Sequence, residues 1–159
     1  MKKVLIPFGF FLATLPVFMA FSSKSLSVFS KNSELKKNEG IQFENDGWEK
    51  TLAKAKKENK FIFLDGYTSW CEPCKMLRET TFKDQAVADL FNKNFINVSI
   101  DMENGDGPAL SKKYNVVGYP TLIIVNGNGD VVTQSIGYLS AKELIKFGNH
   151  ALSLKKNHT

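Results

Sequence analysis

Two uninterrupted apolar runs organise the chain: Phe61-Ile62-Phe63-Leu64, closed by Asp65, and Leu122-Ile123-Ile124-Val125, opened by Thr121. Runs of this length without polar interruption fit strands covered on both faces, so the first is expected in a central, parallel position. Residues 95–101 alternate instead, as Phe95-Ile96-Asn97-Val98-Ser99-Ile100-Asp101, and predict a third strand. Asn126-Gly127-Asn128-Gly129 supplies residues that tolerate positive φ between the second apolar run and residues 130–136, which predicts an antiparallel hairpin. A short alternation, Ile41-Gln42-Phe43, predicts a small strand at the start of the ordered region.

Between these strands the period changes to that of a helix. Trp48, Leu52 and Ala55 form an apolar line, and Asp46-Gly47-Trp48-Glu49 has the spacing of a capping box, so a helix should begin there and end near Asn59. Helical spacing resumes around Cys74 and runs through Leu77, Val87, Leu90 and Phe91, with a break expected at Thr80-Thr81-Phe82-Lys83-Asp84. A short helix is expected over residues 108–114. Ser140-Ala141-Lys142-Glu143 is a second capping box, opening a final amphipathic helix that carries Leu144, Ile145 and Phe147.

The N-terminus follows a different pattern. Met1-Lys2-Lys3 precedes an apolar stretch to Phe21, and Ser22-Ser23-Lys24-Ser25 follows. A charged start, an apolar middle and a small-residue exit are the marks of an export signal, expected over residues 1–22, with cleavage after Ala20 or Ser22. The stretch contains Pro7, Gly9, Thr14 and Pro16 and falls short of the roughly 20 apolar residues of a spanning helix, so removal is favoured over an uncleaved membrane anchor, the alternative. Residues 23–40, rich in Ser, Lys and Asn, read as a linker or flexible N-terminal arm, leaving residues 41–156 as one domain.

Composition fits that division. With 159 residues, 43% hydrophobic and 23% charged, the chain suits a single domain with its own core rather than a disordered or fibrous protein. The net charge is +5, from 21 Lys plus Arg against 16 Asp plus Glu. Losing Lys2 and Lys3 with the signal leaves 19 against 16. That excess is too mild to imply nucleic acid, and Lys54, Lys56, Lys57 and Lys60 read as the solvated face of the first helix.

The chemistry is concentrated in Trp70-Cys71-Glu72-Pro73-Cys74-Lys75, which holds both cysteines of the chain and lies between an apolar strand and a helix. A purely structural bridge between residues three apart closes so short a loop that it would stabilise the fold by only about 2 kcal/mol. A zinc or copper site would need more ligands than two thiolates, and only His150 and His158 could add imidazoles. Redox exchange fits the position better. Unpaired N–H groups and the positive end of the dipole at a helix N-terminus favour a thiolate, so Cys71 is the expected nucleophile. Cys74, one turn into the helix, would be shielded and would resolve the mixed disulfide. Pro73 suits the first turn, where its missing N–H would have no partner.

With Asp65 six residues before Cys71, and Val117-Gly118-Tyr119-Pro120-Thr121 ahead of the closing hairpin and helix, the chain resembles the thioredoxin superfamily from about residue 43 to 147. Among its members, secreted domains like the C-terminal domain of the reductant transporter DsbD are similar at Leu64-Asp65-Gly66-Tyr67 and Thr80-Thr81-Phe82-Lys83-Asp84. The resemblance implies an α/β thioredoxin fold, a central mixed sheet with helices on both faces. It also implies a thiol-disulfide oxidoreductase, more reductant than oxidant, that needs no bound cofactor. In that family the residue at Asp65 is buried and helps to deprotonate the second cysteine, although a strand-end cap is the plainer use of such a residue. Pro120 falls at the family's cis proline. Tyr119 and Trp70 become substrate-contact candidates beside Glu72 and Pro73, against plain packing. Two residues depart from the pattern: Glu72 replaces a glycine, adding negative charge beside Cys71, and Asn97 stands where the family has a buried lysine. The partners implied are protein disulfides and a membrane thiol electron donor, with a monomer as the acting form and the periplasm as the compartment. The rival function is a peptide-holding or docking module whose cysteines do not cycle.

Overall fold

A computed structural model of the chain describes residues 40–156. The expected export signal over 1–22 and all but the last residue of the expected arm over 23–40 lie outside the described residues, as does His158.

Helix α1 (Trp48–Glu58) leads into strand β1 (Phe61–Tyr67), α2 (Glu72–Glu79), a 3-10 turn (Thr81–Lys83), α3 (Gln85–Asn94) and β2 (Phe95–Asp101). The second half runs α4 (Gly107–Lys113), β3 (Thr121–Val125), β4 (Val131–Ile136) and α5 (Ala141–Lys156). The strands form one mixed sheet in the order β2-β1-β3-β4. β1 is central and parallel to β2, as its apolar run predicts, but antiparallel to β3 on its other side. The register sets Asp65 opposite Ser99 and Leu122. The β3–β4 hairpin is antiparallel, and its turn is closed by the Asn126 side chain, which accepts from the amides of Asn128 and Asp130.

Each face of the sheet has its own core. On one, Phe63 meets Phe91 edge to face at 4.6 Å between ring centroids and Phe82 at 6.0 Å, with Leu77 and Leu144 around them. On the other, Ile62, Leu64, Val98 and Ile123 pack under Trp48, Ala55 and Tyr114. Consecutive β1 residues therefore serve opposite cores, which is why this segment needs an unbroken apolar run.

Three local expectations change. Residues 41–43 are not a strand. Their backbone groups go to unrelated partners, with Ile41 N–H on Phe82 O and Gln42 N–H on the Asn92 side chain, and only Glu44 bridges Val98. Asp46 does not cap α1: Gly47, at φ 82°, is the N-cap and lends no side chain. The orphan Trp48 amide is met instead by Asp106 Oδ2 at 3.0 Å, from a loop 58 residues away. At Ser140 the box is half formed, since Glu143 accepts from the Ser140 amide at 2.8 Å while the Ser140 hydroxyl also turns to that carboxylate. The break at residues 80–84 is the 3-10 turn, after which Asp84 caps α3 through the Val87 amide.

Candidate functional site

β1 ends one turn of chain before the two cysteines, so the central strand delivers them to its C-terminal edge. Cys71 is the N-cap of α2, held by its amide on Thr68 O at 3.2 Å, and its sulfur accepts from the Cys74 amide at 3.2 Å. That is the capping role a serine usually fills, and it places the sulfur on the unpaired N–H groups of the first turn. Glu72 and Pro73 occupy that turn, both exposed. Cys71 and Cys74 are joined in a disulfide. Both are buried, at 3% and 1% exposure, so shielding extends to Cys71 as well as to Cys74.

Glu72 pairs with Lys75 at 2.6 Å on the exposed side of the helix, which offsets the negative charge it brings near Cys71. Trp70 is 62% exposed. It is nevertheless fixed, because its indole N–H donates to both carboxylate oxygens of Glu103 at 3.1 Å and its ring meets Tyr119 edge-on at 5.8 Å. The Tyr119–Pro120 peptide is cis; Pro120 is buried, and its carbonyl accepts from Gly137 N–H at 2.7 Å. Trp70, Tyr119 and the disulfide thus lie on connected segments, with Val117 exposed in the same loop.

Asp65, 1% exposed, lies on β1, the strand that leads to the cysteines. Burial pushes its carboxyl up to about 6, with the Ser99 hydrogen bond and the positive charge of Arg78 pulling the other way. Ser99 Oγ donates to Asp65 Oδ2 at 2.7 Å, and Oδ1 has no hydrogen-bond partner. The side chain facing Asp65 from β2 is therefore Ser99; Asn97 turns its amide to Gln42 O and Asn92. Ser99, Glu103 and Arg78, whose guanidinium lies 4.3 Å from the Tyr67 ring centre, are site residues that the sequence pattern did not single out. The alternation in residues 95–101 puts 97 and 99 on one face, but choosing between them needs the register. His150 lies exposed on α5, and among the described residues no group of three or more His, Cys, Asp or Glu is placed to hold a metal ion.

Comparison with known proteins agrees with this geometry. Residues 48–152 match the thioredoxin-like domain model. The thiol:disulfide interchange protein DsbD of Campylobacter jejuni is 33% identical over 102 residues, which are 64% of this chain and 18% of that protein; the chain therefore matches less than a fifth of its length. The solution structure of a candidate disulphide-isomerase from Bacteroides thetaiotaomicron is 43% identical, with a TM-score of 0.65 covering 72% of this chain and 94% of that one. The oxidised C-terminal domain of Neisseria meningitidis DsbD shares the fold at 22% identity and TM-score 0.57, covering 70% of this chain and 98% of that one.

Proposed function

The chain belongs to the thioredoxin-like domain family, and from this premise we propose that it is a thiol-disulfide oxidoreductase that acts outside the cytoplasm as a reductant of disulfides in other proteins. The observation that carries the reading is the Cys71–Cys74 disulfide at the N-terminus of α2, with the buried carboxyl of Asp65 on the strand that leads to it.

In the reduced protein Cys71 is the nucleophile, its thiolate stabilised by the first-turn amides. It attacks a partner disulfide, one partner sulfur leaves as a thiolate, and a mixed disulfide forms on Cys71. Asp65 then takes the proton of Cys74, and the Cys74 thiolate attacks Cys71, releasing the second partner sulfur and closing the Cys71–Cys74 bond. Two electrons pass to the partner. Trp70, Tyr119 and Pro120 form the docking surface, with Glu72 and Pro73 on its helical side. The residue before the proline offers extended backbone to a partner segment.

The reducing direction follows from charge. A dithiol is a weaker oxidant when its thiolate is less stabilised, and the buried Asp65 carboxylate disfavours a further negative charge on the cysteines, while the charge of Glu72 is offset by Lys75. Residues 1–22, with their paired lysines and apolar core, support export, and a membrane thiol donor would return the dithiol to its reduced state. The variants Cys71→Ser and Cys74→Ser test the scheme. The first is expected to abolish turnover of a protein disulfide, and the second to accumulate a covalent mixed disulfide visible on a non-reducing gel. A Cys71→Ser protein with full reductase activity would overturn it, and so would a Cys74→Ser protein that captures nothing, which would make the domain a non-cycling scaffold.

A further inference from the structure

Taking Asp65 as the base of the scheme above, we propose that Ser99 is the proton exit of the site, carrying the proton from Asp65 to solvent in a cleft along the outer edge of β2. The need for an exit is built into the fold. Resolution loads the Cys74 proton onto a carboxyl that is 1% exposed, and once the disulfide has closed its sulfurs hold no charge to take that proton back. The carboxyl accepts one side-chain hydrogen bond, from Ser99 Oγ at 2.7 Å, while Oδ1 has no partner among the described residues.

Ser99 is half-buried and lines a cleft of about 430 Å³, walled also by Glu44, Thr51, Tyr67, Asp101 and Asp106. β2 is the edge strand of the sheet, and among the described residues its outer side is bridged only at Val98, by Glu44, so the backbone beyond that point borders the cleft. The charged groups near the route are few. Arg78 of α2 favours ionised Asp65 from the helix side, and at the cleft Glu44 is paired with Lys54, while Asp101 and Asp106 accept backbone and amide N–H groups. The step is balanced: Oδ2–H passes its proton to Ser99 Oγ as the Ser99 hydroxyl proton goes to water, and the hydroxyl turns back to donate to the carboxylate. The family resemblance points to Asn97 as the departure at this carboxyl; the geometry assigns the exchange to Ser99.

Single-turnover oxidation of the reduced protein by the aromatic disulfide dithiobis(nitrobenzoate) tests this. Its two leaving thiolates stay ionised at neutral pH, so both protons of the dithiol enter solvent and a fluorescent indicator in weak buffer reads them beside the colour of the thiolate. In the wild type, proton release and thiolate release should coincide. In Ser99→Ala the last proton should lag thiolate release by at least fivefold, and Ser99→Thr, which keeps the hydroxyl, should restore coincidence. Proton release in step with thiolate release in Ser99→Ala overturns the proposal, as does an equal lag in Ser99→Thr. Failure of the redox reading itself looks different, since no thiolate would then be released as the disulfide closes.

Discussion

Replacing Asp65 by asparagine should make the oxidised protein more stable above neutrality. A carboxyl that titrates at about 6 in the native state and near 3.8 when unfolded binds its proton more tightly in the fold. The gap corresponds to about 3 kcal/mol at about 1.4 kcal/mol for each tenfold change in proton affinity. Between these two values the native state holds a proton that the unfolded chain has released, so stability falls as pH rises through that window and stays low above it. The contribution is fully present below about pH 4 and lost above about pH 6. The amide of the Asp65→Asn variant would carry no such charge, and its side-chain oxygen can still accept from Ser99. Urea unfolding of the oxidised wild type and Asp65→Asn across that pH range checks the sum. The two curves should meet at acid pH, diverge between about pH 4 and 6 and stay apart above that, the variant being the more stable by up to about 3 kcal/mol. A variant that is less stable at alkaline pH, or a gap that does not change with pH, would refute the raised titration of a buried carboxyl at this position. The same variant should reduce proteins more slowly, by about a hundredfold where general base catalysis limits the rate, so stability and turnover move in opposite directions.

Phe63→Ala removes a ring with no exposure that touches Phe82 and Phe91, and should lower stability by about 3–5 kcal/mol in urea, with the redox potential of whatever protein remains folded unchanged. Asp106→Ala takes away the acceptor of the Trp48 amide and should cost about 1 kcal/mol in thermal unfolding, largely recovered in Asp106→Asn.

Much of the fold could be read from periodicity because burial and period coincide. Residues 61–64 and 122–125 are apolar throughout since they face helices on both sides, and the helix ending near Asn59 does so where Asn59 takes a left-handed conformation, closing α1. What could not be read depends on partners distant in the chain. The amide of Trp48 is capped by Asp106, and the apparent box at Asp46 looks equally good in sequence because spacing cannot reveal which carboxylate arrives. Residues 41–43 alternate as a strand would, yet a strand also needs a ladder, and Phe82 and Asn92 offer scattered acceptors and Asn97 a side-chain donor instead. At the site, the cysteines stand out by type and spacing, and Asp65 enters only through the resemblance to the thioredoxin superfamily. Ser99 and Glu103 are ordinary polar residues whose importance comes from the register of β2 on β1 and from the loop that follows it.

The central claim is that the Cys71–Cys74 pair cycles as a reductant. The most direct measurement equilibrates the protein against a series of glutathione and dithiothreitol buffers and counts free thiols at each poise. The account predicts a single two-electron titration with a midpoint more reducing than the glutathione couple, in the region of roughly −270 mV where thioredoxin lies. A strongly oxidising midpoint would contradict the direction of electron flow, and a pair that does not titrate at all would contradict the catalytic reading itself.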